Sequence, residues 1–291
     1  MTKHPLLSYY SSLIENWDVD FHLSLKFADA NSIHDLRVDT KRIRAFLGLV
    51  VALNPEFDPS DILRYLRKPF KSAALIRHYQ VQMELTRRFM DELGLKLDCY
   101  YNHLKSHELK SRRKFRSKCA DLDQQPLERS TRQMRRALAY LNRDELAVTI
   151  ARHVEHLLGE LCADRNRLED TEIDYHAIRI LAKTTRYSLE VLRKCVSDSP
   201  ALESLDRSLF GLHQALGAWH DLDLAGHDLE SDKSALDDAN ELCAESLAKF
   251  GSAMATERDL QFELFRSRWI DFLDPAGNGQ SQIADVLEPI D

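Results

Sequence analysis

The chain has 291 residues, of which 44% are hydrophobic and 30% are charged, and its formal net charge at pH 7 is −7. This length gives one large or two small domains enough apolar material for a core. With only 9 glycines and 8 prolines, the composition favours a helical globular protein over a disordered or collagen-like one. No apolar run reaches the roughly 18 to 20 residues that a membrane-spanning helix needs. Five cysteines without a Cys-x-x-Cys pair, and an N-terminus unlike a signal peptide, predict a cytoplasmic protein.

The charge is unevenly distributed along the chain. Residues 1–150 hold 26 Lys and Arg against 19 Asp and Glu, whereas residues 151–291 hold 14 against 28. The two parts therefore carry +7 and −14. Because a polyanion responds to a local cationic face more than to the total charge, the acidic balance lowers non-specific nucleic-acid binding but leaves a focused anion site possible.

Amphipathic spacing predicts four long helices and a connector in the first part of the chain. The first helix runs from Pro5 to about Ala28, and the second begins at a cap on Asn31 or Ser32 and ends near Asn54. The third runs from Asp61 to about Leu93, is bent by Pro69 and stops at Gly94. The fourth runs from Lys96 to about Lys118. A break at Asp121 to Pro126 precedes a further helix, which contains Arg132, Arg135 and Arg136.

The second part repeats this order. The predicted helices are Asp144 to Leu168, Asp174 to Val196, Pro200 to about Leu229 and Ser231 to Leu273, and the turn-rich residues 274–291 are predicted to be a disordered tail.

One motif occurs twice at an offset of 142 residues. Residues 34–44 and 176–186 both read His-x2-Arg-x3-Lys-x2-Arg, and such self-similarity indicates an internal duplication. On a helix, these four positions fall within an arc of roughly 80°. Each copy therefore displays a cationic stripe and buries an apolar one. We expect an all-α protein of two four-helix bundles related by a pseudo-two-fold axis, with halves at about 5–142 and 143–273.

These motifs resemble the CHAD family, the conserved-histidine α-helical domain, over residues 5–273. The Leu-Gly-x-x-His-Asp element at residues 216–221 adds to the resemblance. It implies two four-helix bundles and binding of inorganic polyphosphate through the motif helices. The primary candidate contacts are His34, Arg37, Lys41, Arg42, Arg44, His176, Arg179, Lys183 and Arg186. The first half departs from the family pattern at residues 77–81, Arg-His-Tyr-Gln-Val, which lack the family's carboxylates, and Thr184 stands where the first copy has Arg42.

For a single basic helix, a solvated face is the plainer interpretation. The identical spacing in two copies favours a ligand that spans both, because arginine and lysine can grip successive phosphates. A second tier of basic residues is mostly not repeated in the second half of the chain, where the positions offset by 142 residues include Asp206, Leu209, Phe210 and His213. This tier therefore fits a wider binding surface or a solvated surface equally well. This tier is Arg64, Lys68, Lys71, Arg77, Arg112, Arg113 and Arg116.

The sequence predicts a binding module, with neither catalysis nor cofactor nor metal. His103 and His107, and His153 and His156, have metal-ligand spacing but are interpreted as surface residues. One alternative is a phosphohydrolase or phosphotransferase using Mg²⁺ held by acidic residues such as Asp221 and Asp223. Another is nucleic-acid binding, which the acidic second half disfavours. The expected partner is polyphosphate or another phosphate-rich polyanion, with cytoplasmic location at polyphosphate granules.

Overall fold

The computed structural model describes residues 4–139, 141, 143–163, 174–195, 200–232 and 241–273. Every regular element in these ranges is an α-helix, which confirms the predicted all-α class. The helices are α1 (Pro5–Lys26), α2 (Ala30–Leu53), α3 (Ser60–Leu93), α4 (Asp98–Cys119), α5 (Gln125–Ala139), α6 (Arg143–Ala163), α7 (Tyr175–Cys195), α8 (Pro200–Asp232) and α9 (Glu241–Leu273).

Helix boundaries differ from the predicted ones at several places, for example at the start of α2 and the end of α8. The cap of α2 is Asp29, whose carboxylate accepts hydrogen bonds from the backbone N–H groups of Asn31 and Ser32, because a cap must precede the donors that it satisfies. Helix α8 continues to Asp232, through the predicted break before residue 231. The predicted stop of α3 is confirmed, since Gly94 has a left-handed φ of 63°. The end predicted at Leu168 and the tail at 274–291 lie outside the described residues.

The helices pack largely in chain order. In the first group α1 packs on α2, α2 on α3 and α3 on α4, and α5 lies against α1 and α3. In the second group α6 packs on α7, α7 on α8 and α8 on α9. The two groups meet where α2 contacts α6 and α7 and where α1 contacts α7. One apolar core runs through both groups, from Leu6 and Trp17 of α1 to Phe265 and Trp269 of α9. This observation fits the predicted single unit, but the duplication and the domain boundaries stay predictions.

A second, smaller core joins the ends of the helices away from α1. It packs Phe89, Leu97, Tyr100 and Leu104 of the first group against Leu222, Ala225, Leu229, Cys243, Leu247, Phe250 and Met254 of the second. At the same end Arg88 Nη2 lies 2.8 Å from Glu257 Oε2, and Cys99 is joined to Cys243 by a disulfide. The groups are therefore held together at two separate places, the α2–α7 contact and this outer core.

None of the described helices is both long and apolar enough to cross a membrane.

Candidate anion-binding site

Helix α2 is a two-sided helix. Leu36, Ile43 and Leu47 are at most 1% exposed and face the core, and Thr40 beside them accepts a 2.8 Å hydrogen bond from Trp17 Nε1. The predicted contacts Arg37, Lys41 and Arg44 lie on the other side and are partly buried. The 3.6-residue helical repeat places these three cations in one row.

Helix α7 is built in the same way. Ile178, Ala182, Thr185, Leu189 and Leu192 are buried, while Arg179, Lys183 and Arg186 are partly exposed. Because α2 packs against α7, the two rows of basic side chains are neighbours. The structure thus brings the corresponding residues of the two motif copies together.

The two lysines at the middle of the rows are neighbours across the contact between α2 and α7. Burial, together with the charges of Lys183, Arg37 and Arg179, lowers the pKa of Lys41 to about 6. Burial and the charge of Arg179 lower the pKa of Lys183 to about 8. Burial and the surrounding positive charges therefore disfavour the ammonium form of both lysines.

The arginines of the first row are oriented by Phe70 of α3. The guanidinium carbon of Arg37 lies 4.4 Å from the ring centroid and that of Arg44 lies 4.8 Å from it. Arg37 Nη1 also donates a 2.9 Å hydrogen bond to the Phe70 carbonyl. Burial and the neighbouring arginines lower the pKa of Arg37 to about 10. The Phe70 ring therefore orients both guanidinium groups without neutralising their positive charge.

The second row has a related arrangement with one carboxylate added. Arg186 lies 4.8 Å from the ring centroid of Phe210, and its Nε donates a 3.1 Å hydrogen bond to Asp206. The other carboxylate oxygen of Asp206 accepts from Arg193 at 3.3 Å. Asp206 stands at the position of Arg64 in the 142-residue offset, so the second row is partly neutralised from within.

Arg179 is packed over Gly217 of α8. A Cβ added at Gly217 would lie 3.9 Å from Nε and Nη2 of Arg179, an ordinary van der Waals distance, so the guanidinium lies close against this part of α8. Its Nε is buried and has no hydrogen-bond partner among the described residues. The charge of Arg179 also acts on Asp221, whose pKa is raised by burial against the lowering effect of Arg179, His220, Arg77 and Lys41. Asp221 is therefore a carboxylate set among cations.

His213 of α8 is a member of this site that the sequence analysis did not select. Both of its ring nitrogens are buried and have no hydrogen-bond partner among the described residues. Burial and the charges of Lys183, Arg179, Arg186 and Lys41 lower its pKa to about 3, so the ring is neutral at pH 7. The signal in the sequence that could have identified His213 is its position, which corresponds to Lys71 of the first half at the offset of 142 residues. We call Arg37, Lys41, Arg179, Lys183 and His213 the central cluster.

The two histidines that begin the motifs lie at the edge of the site. His34 and His176 are exposed. His34 shares with Arg77 a cleft of about 720 Å³, where partial desolvation and the charge of Arg77 lower its pKa. The ring of His176 lies 5.9 Å from that of His220. Both histidines can donate to a ligand only at the ends of the rows.

Arg42 faces a different direction from the other predicted contacts. It follows Lys41 by one residue and is therefore turned by about 100° from the row. Its guanidinium lies 3.5 Å from Glu190 of α7 and 3.6 Å from Asp39, and Tyr9 of α1 donates a 3.2 Å hydrogen bond to the same glutamate. Arg42 thus links α1, α2 and α7 through Glu190.

The second-tier residues differ in their surroundings, since some donate hydrogen bonds to α1 and others are exposed to solvent. Arg112 and Arg116 of α4 donate to carbonyl groups at the C-terminal end of α1, including that of Phe27, where the free carbonyls of a helix attract cations. Arg64 is exposed and paired with Asp61 at 3.2 Å. Lys68, Lys71 and Arg113 are exposed.

The two histidine pairs differ in their exposure. His103 and His107 are partly buried with ring centroids 4.6 Å apart, and His103 lies 3.5 Å from Asp232. His153 is also partly buried, whereas His156 is exposed as predicted. All four side chains therefore keep some exposure to solvent, and their interpretation as surface residues stays a prediction. Within the described ranges, no three His, Cys, Asp or Glu side chains converge as a metal site.

The comparisons with known proteins agree with this architecture. The family model of the CHAD domain matches residues 16–230. The chain is similar in structure to the CHAD domain from the plant Ricinus communis, with a TM-score of 0.72, 18% identity, and coverage of 91% of this chain and 90% of that one. It is also similar to PptA from Streptomyces chartreusis, with a TM-score of 0.59, 15% identity, and coverage of 91% and 98%. No curated protein matches the sequence. Because the family model spans most of the chain, the protein belongs to the CHAD family.

Proposed function

We propose that the protein binds inorganic polyphosphate through the two motif rows, and that it serves in recruitment to polyphosphate or in its handling in the cytoplasm. The observation that carries the proposal is the central cluster. There, cations from α2 and α7 meet, while Arg179 Nε and both His213 ring nitrogens are buried and lack a partner among the described residues. Buried polar groups in proteins are usually satisfied, so Arg179 Nε and the single N–H of the neutral His213 ring fit a ligand with closely spaced oxygen atoms.

A phosphate chain matches this arrangement better than an isolated anion does. Its successive phosphoryl groups each carry negative charge, and the rows offer three cations on each side. Arg37, Arg44 and Arg186 are oriented by Phe70 and Phe210, which lowers the entropy lost when they form charge-assisted hydrogen bonds. We expect affinity to grow with chain length and to fall with salt.

Each residue has a distinct role in this proposal. Lys41 and Lys183 contribute charge at the middle of the site, and Arg37 and Arg179 contribute forked N–H donors beside them. His213 is a neutral donor from one ring nitrogen. Arg44 and Arg186 extend the rows, and His34 and His176 contact the chain at its ends. Arg42 belongs to the helix contact.

Titration with long-chain polyphosphate, short oligophosphates and duplex DNA at physiological salt tests the proposal. We compare wild type with a charge-reversal variant at Lys41, Arg44, Lys183 and Arg186. The matched control reverses four exposed basic residues of α4, α6, α8 and α9, namely Lys105, Arg152, Arg207 and Lys249. We expect the site variant to lose polyphosphate binding and the control to keep it. Equal binding by both variants contradicts the site, and preference for DNA or metal-dependent phosphate release contradicts the function.

A further inference from the structure

The Cys99–Cys243 disulfide connects the two helix groups at the outer core. Cys99 lies in the first turn of α4, and Cys243 lies in the first turn of α9. Beside them, the backbone N–H of Lys96 donates a 3.3 Å hydrogen bond to Ser246 Oγ of α9. The disulfide is therefore the covalent part of a contact between the α3–α4 pair of helices and the α8–α9 pair.

The helices joined by the disulfide are packed on helices that carry the candidate site. Helix α4 packs on α3, which holds Phe70, and α9 packs on α8, which holds His213 and Asp221. In α8 the outer core begins at Leu222, the residue that follows Asp221. A change in the hold between α4 and α9 can therefore reach the site through two continuous helices.

The two sulfur atoms are placed where they can exchange with small thiols. Cys243 is 8% exposed, whereas Cys99 is only partly buried, so an external thiolate reaches the sulfur of Cys99 more easily. Both cysteines lie at helix starts, where N–H groups that lack an intrahelical partner stabilise a thiolate. In a reducing cytoplasm, the location given in the proposed function, disulfides are usually transient and act in catalysis or redox sensing.

Building on the proposed function, we propose that this cysteine pair is a redox switch for polyphosphate binding: the disulfide form binds the chain tightly and the dithiol form binds it weakly. In the disulfide form, the outer core is fixed covalently and the rows of α2 and α7 keep their spacing. In the dithiol form, noncovalent contacts alone hold the outer core. Ordering the two groups then costs part of the binding free energy.

The switching step is a two-electron exchange with a low-molecular-weight disulfide such as oxidised glutathione. The thiolate of one cysteine attacks that disulfide, which forms a mixed disulfide and releases one glutathione thiolate. The thiolate of the other cysteine attacks the protein sulfur of the mixed disulfide, which forms the Cys99–Cys243 bond and releases the second glutathione thiolate. The two protons lost by the protein thiols pass to the two glutathione thiolates, and the reverse sequence reduces the pair.

Titration of the full chain with long-chain inorganic polyphosphate, before and after reduction with dithiothreitol, tests the inference. Thiol counting defines the redox state of each sample. We expect reduction to weaken binding at least about fivefold, the lower end of typical coupling between sites. Equal affinity in two samples that differ in thiol count overturns the inference and leaves the proposed function intact, and so does a thiol count that reduction does not change. Absence of binding in both samples overturns the proposed function as well.

Linkage gives a second readout on the unmodified protein. If the disulfide form binds polyphosphate about fivefold more tightly, saturating polyphosphate must favour the disulfide by the same factor. In glutathione buffers of graded composition, this moves the midpoint of disulfide formation by about 20 mV toward more reducing potentials. A midpoint that polyphosphate does not move contradicts the coupling.

Serine variants assign the effect to this pair. Cys99→Ser should bind polyphosphate with the affinity of the reduced protein and should not respond to reductant. Cys195→Ser, which removes a free cysteine of α7, is the matched control and should keep the full response. A response that persists in folded Cys99→Ser, as judged by circular dichroism, overturns the assignment, and so does a response that is lost in folded Cys195→Ser.

Discussion

Arg42 of α2 reaches Glu190 of α7 across the contact between the two motif helices, with 3.5 Å between Nε and Oε2. Asp39, one turn away, shares the same guanidinium at 3.6 Å. Burial raises the pKa of Asp39 to about 6, and Arg42 opposes that rise. The basic residue beside Lys41 therefore stabilises the helix contact, although its sequence position suggested the anion site.

Arg42→Ala should lower stability and leave binding almost unchanged. The change removes a partly exposed ion pair and leaves Asp39 less compensated, so we expect a loss of about 1 kcal/mol in the free energy of unfolding. Denaturant titration of the single variants and of the double variant with Glu190→Ala measures the coupling between the two residues. A large loss of polyphosphate affinity in folded Arg42→Ala contradicts this placement.

Arg116→Ala should also act on stability. Its Nε and Nη2 donate 2.9 Å hydrogen bonds to the carbonyls of Leu25 and Lys26, which are among the unsatisfied acceptors at the end of α1. We expect a loss of about 0.5 to 1.5 kcal/mol in the free energy of unfolding. Arg113→Ala, on the exposed side of the same helix, is the control and should change it by less than about 0.5 kcal/mol. Equal losses in the two variants are incompatible with a cap on α1.

His213 should weaken the protein in acid. Its folded pKa, lowered to about 3, lies below the unfolded value of about 6.5, so its contribution is complete above pH 6.5 and is lost as pH falls toward 3. The slope attributable to this one group is at most about 1.4 kcal/mol per pH unit. His213→Leu should flatten the acid limb of a plot of unfolding free energy against pH. Parallel plots for variant and wild type argue against a buried neutral ring.

The Cys99–Cys243 disulfide should make stability depend on reductant. It closes a sequence separation of 144 residues, and its reduction should cost about 2 to 4 kcal/mol in the free energy of unfolding. In the unfolded protein, a thiol reagent should detect three cysteines without reductant, namely Cys119, Cys162 and Cys195, and all five cysteines with it. Five reactive thiols before reduction would show that the disulfide is absent.

Much of the fold could be predicted from local patterns. The apolar periodicity of α2 and α7 and the glycine at residue 94 are local signals, and they predicted helix class and one C-terminal stop correctly. The cap on α2 was predicted two or three residues too late because Asp29, Asn31 and Ser32 are all good caps. The continuation of α8 to Asp232 was missed because Ser231 and Asp232 resemble a new helix start.

The site could be predicted only in part, because ion pairing depends on which helices meet. The rows at Arg37, Lys41, Arg179 and Lys183 follow from helical spacing. Nothing in the local sequence shows that Glu190 binds Arg42, or that Arg116 reaches the end of α1. In the sequence, His213 stands where the first half has Lys71, so the basic residue is not repeated there. Its place beside Lys183 follows only from the packing of α8 on α7.

The carboxylate of Asp206 makes the positive charge of the candidate site uneven between its two rows. Arg186 faces Asp206 at 3.1 Å, whereas Arg44 at the corresponding place has Arg67 as its charged neighbour. Positive potential therefore rises from the α7 end toward α3. On the proposed function, we expect a polyphosphate chain longer than the two rows to extend over α3 and the exposed Lys68 and Lys71.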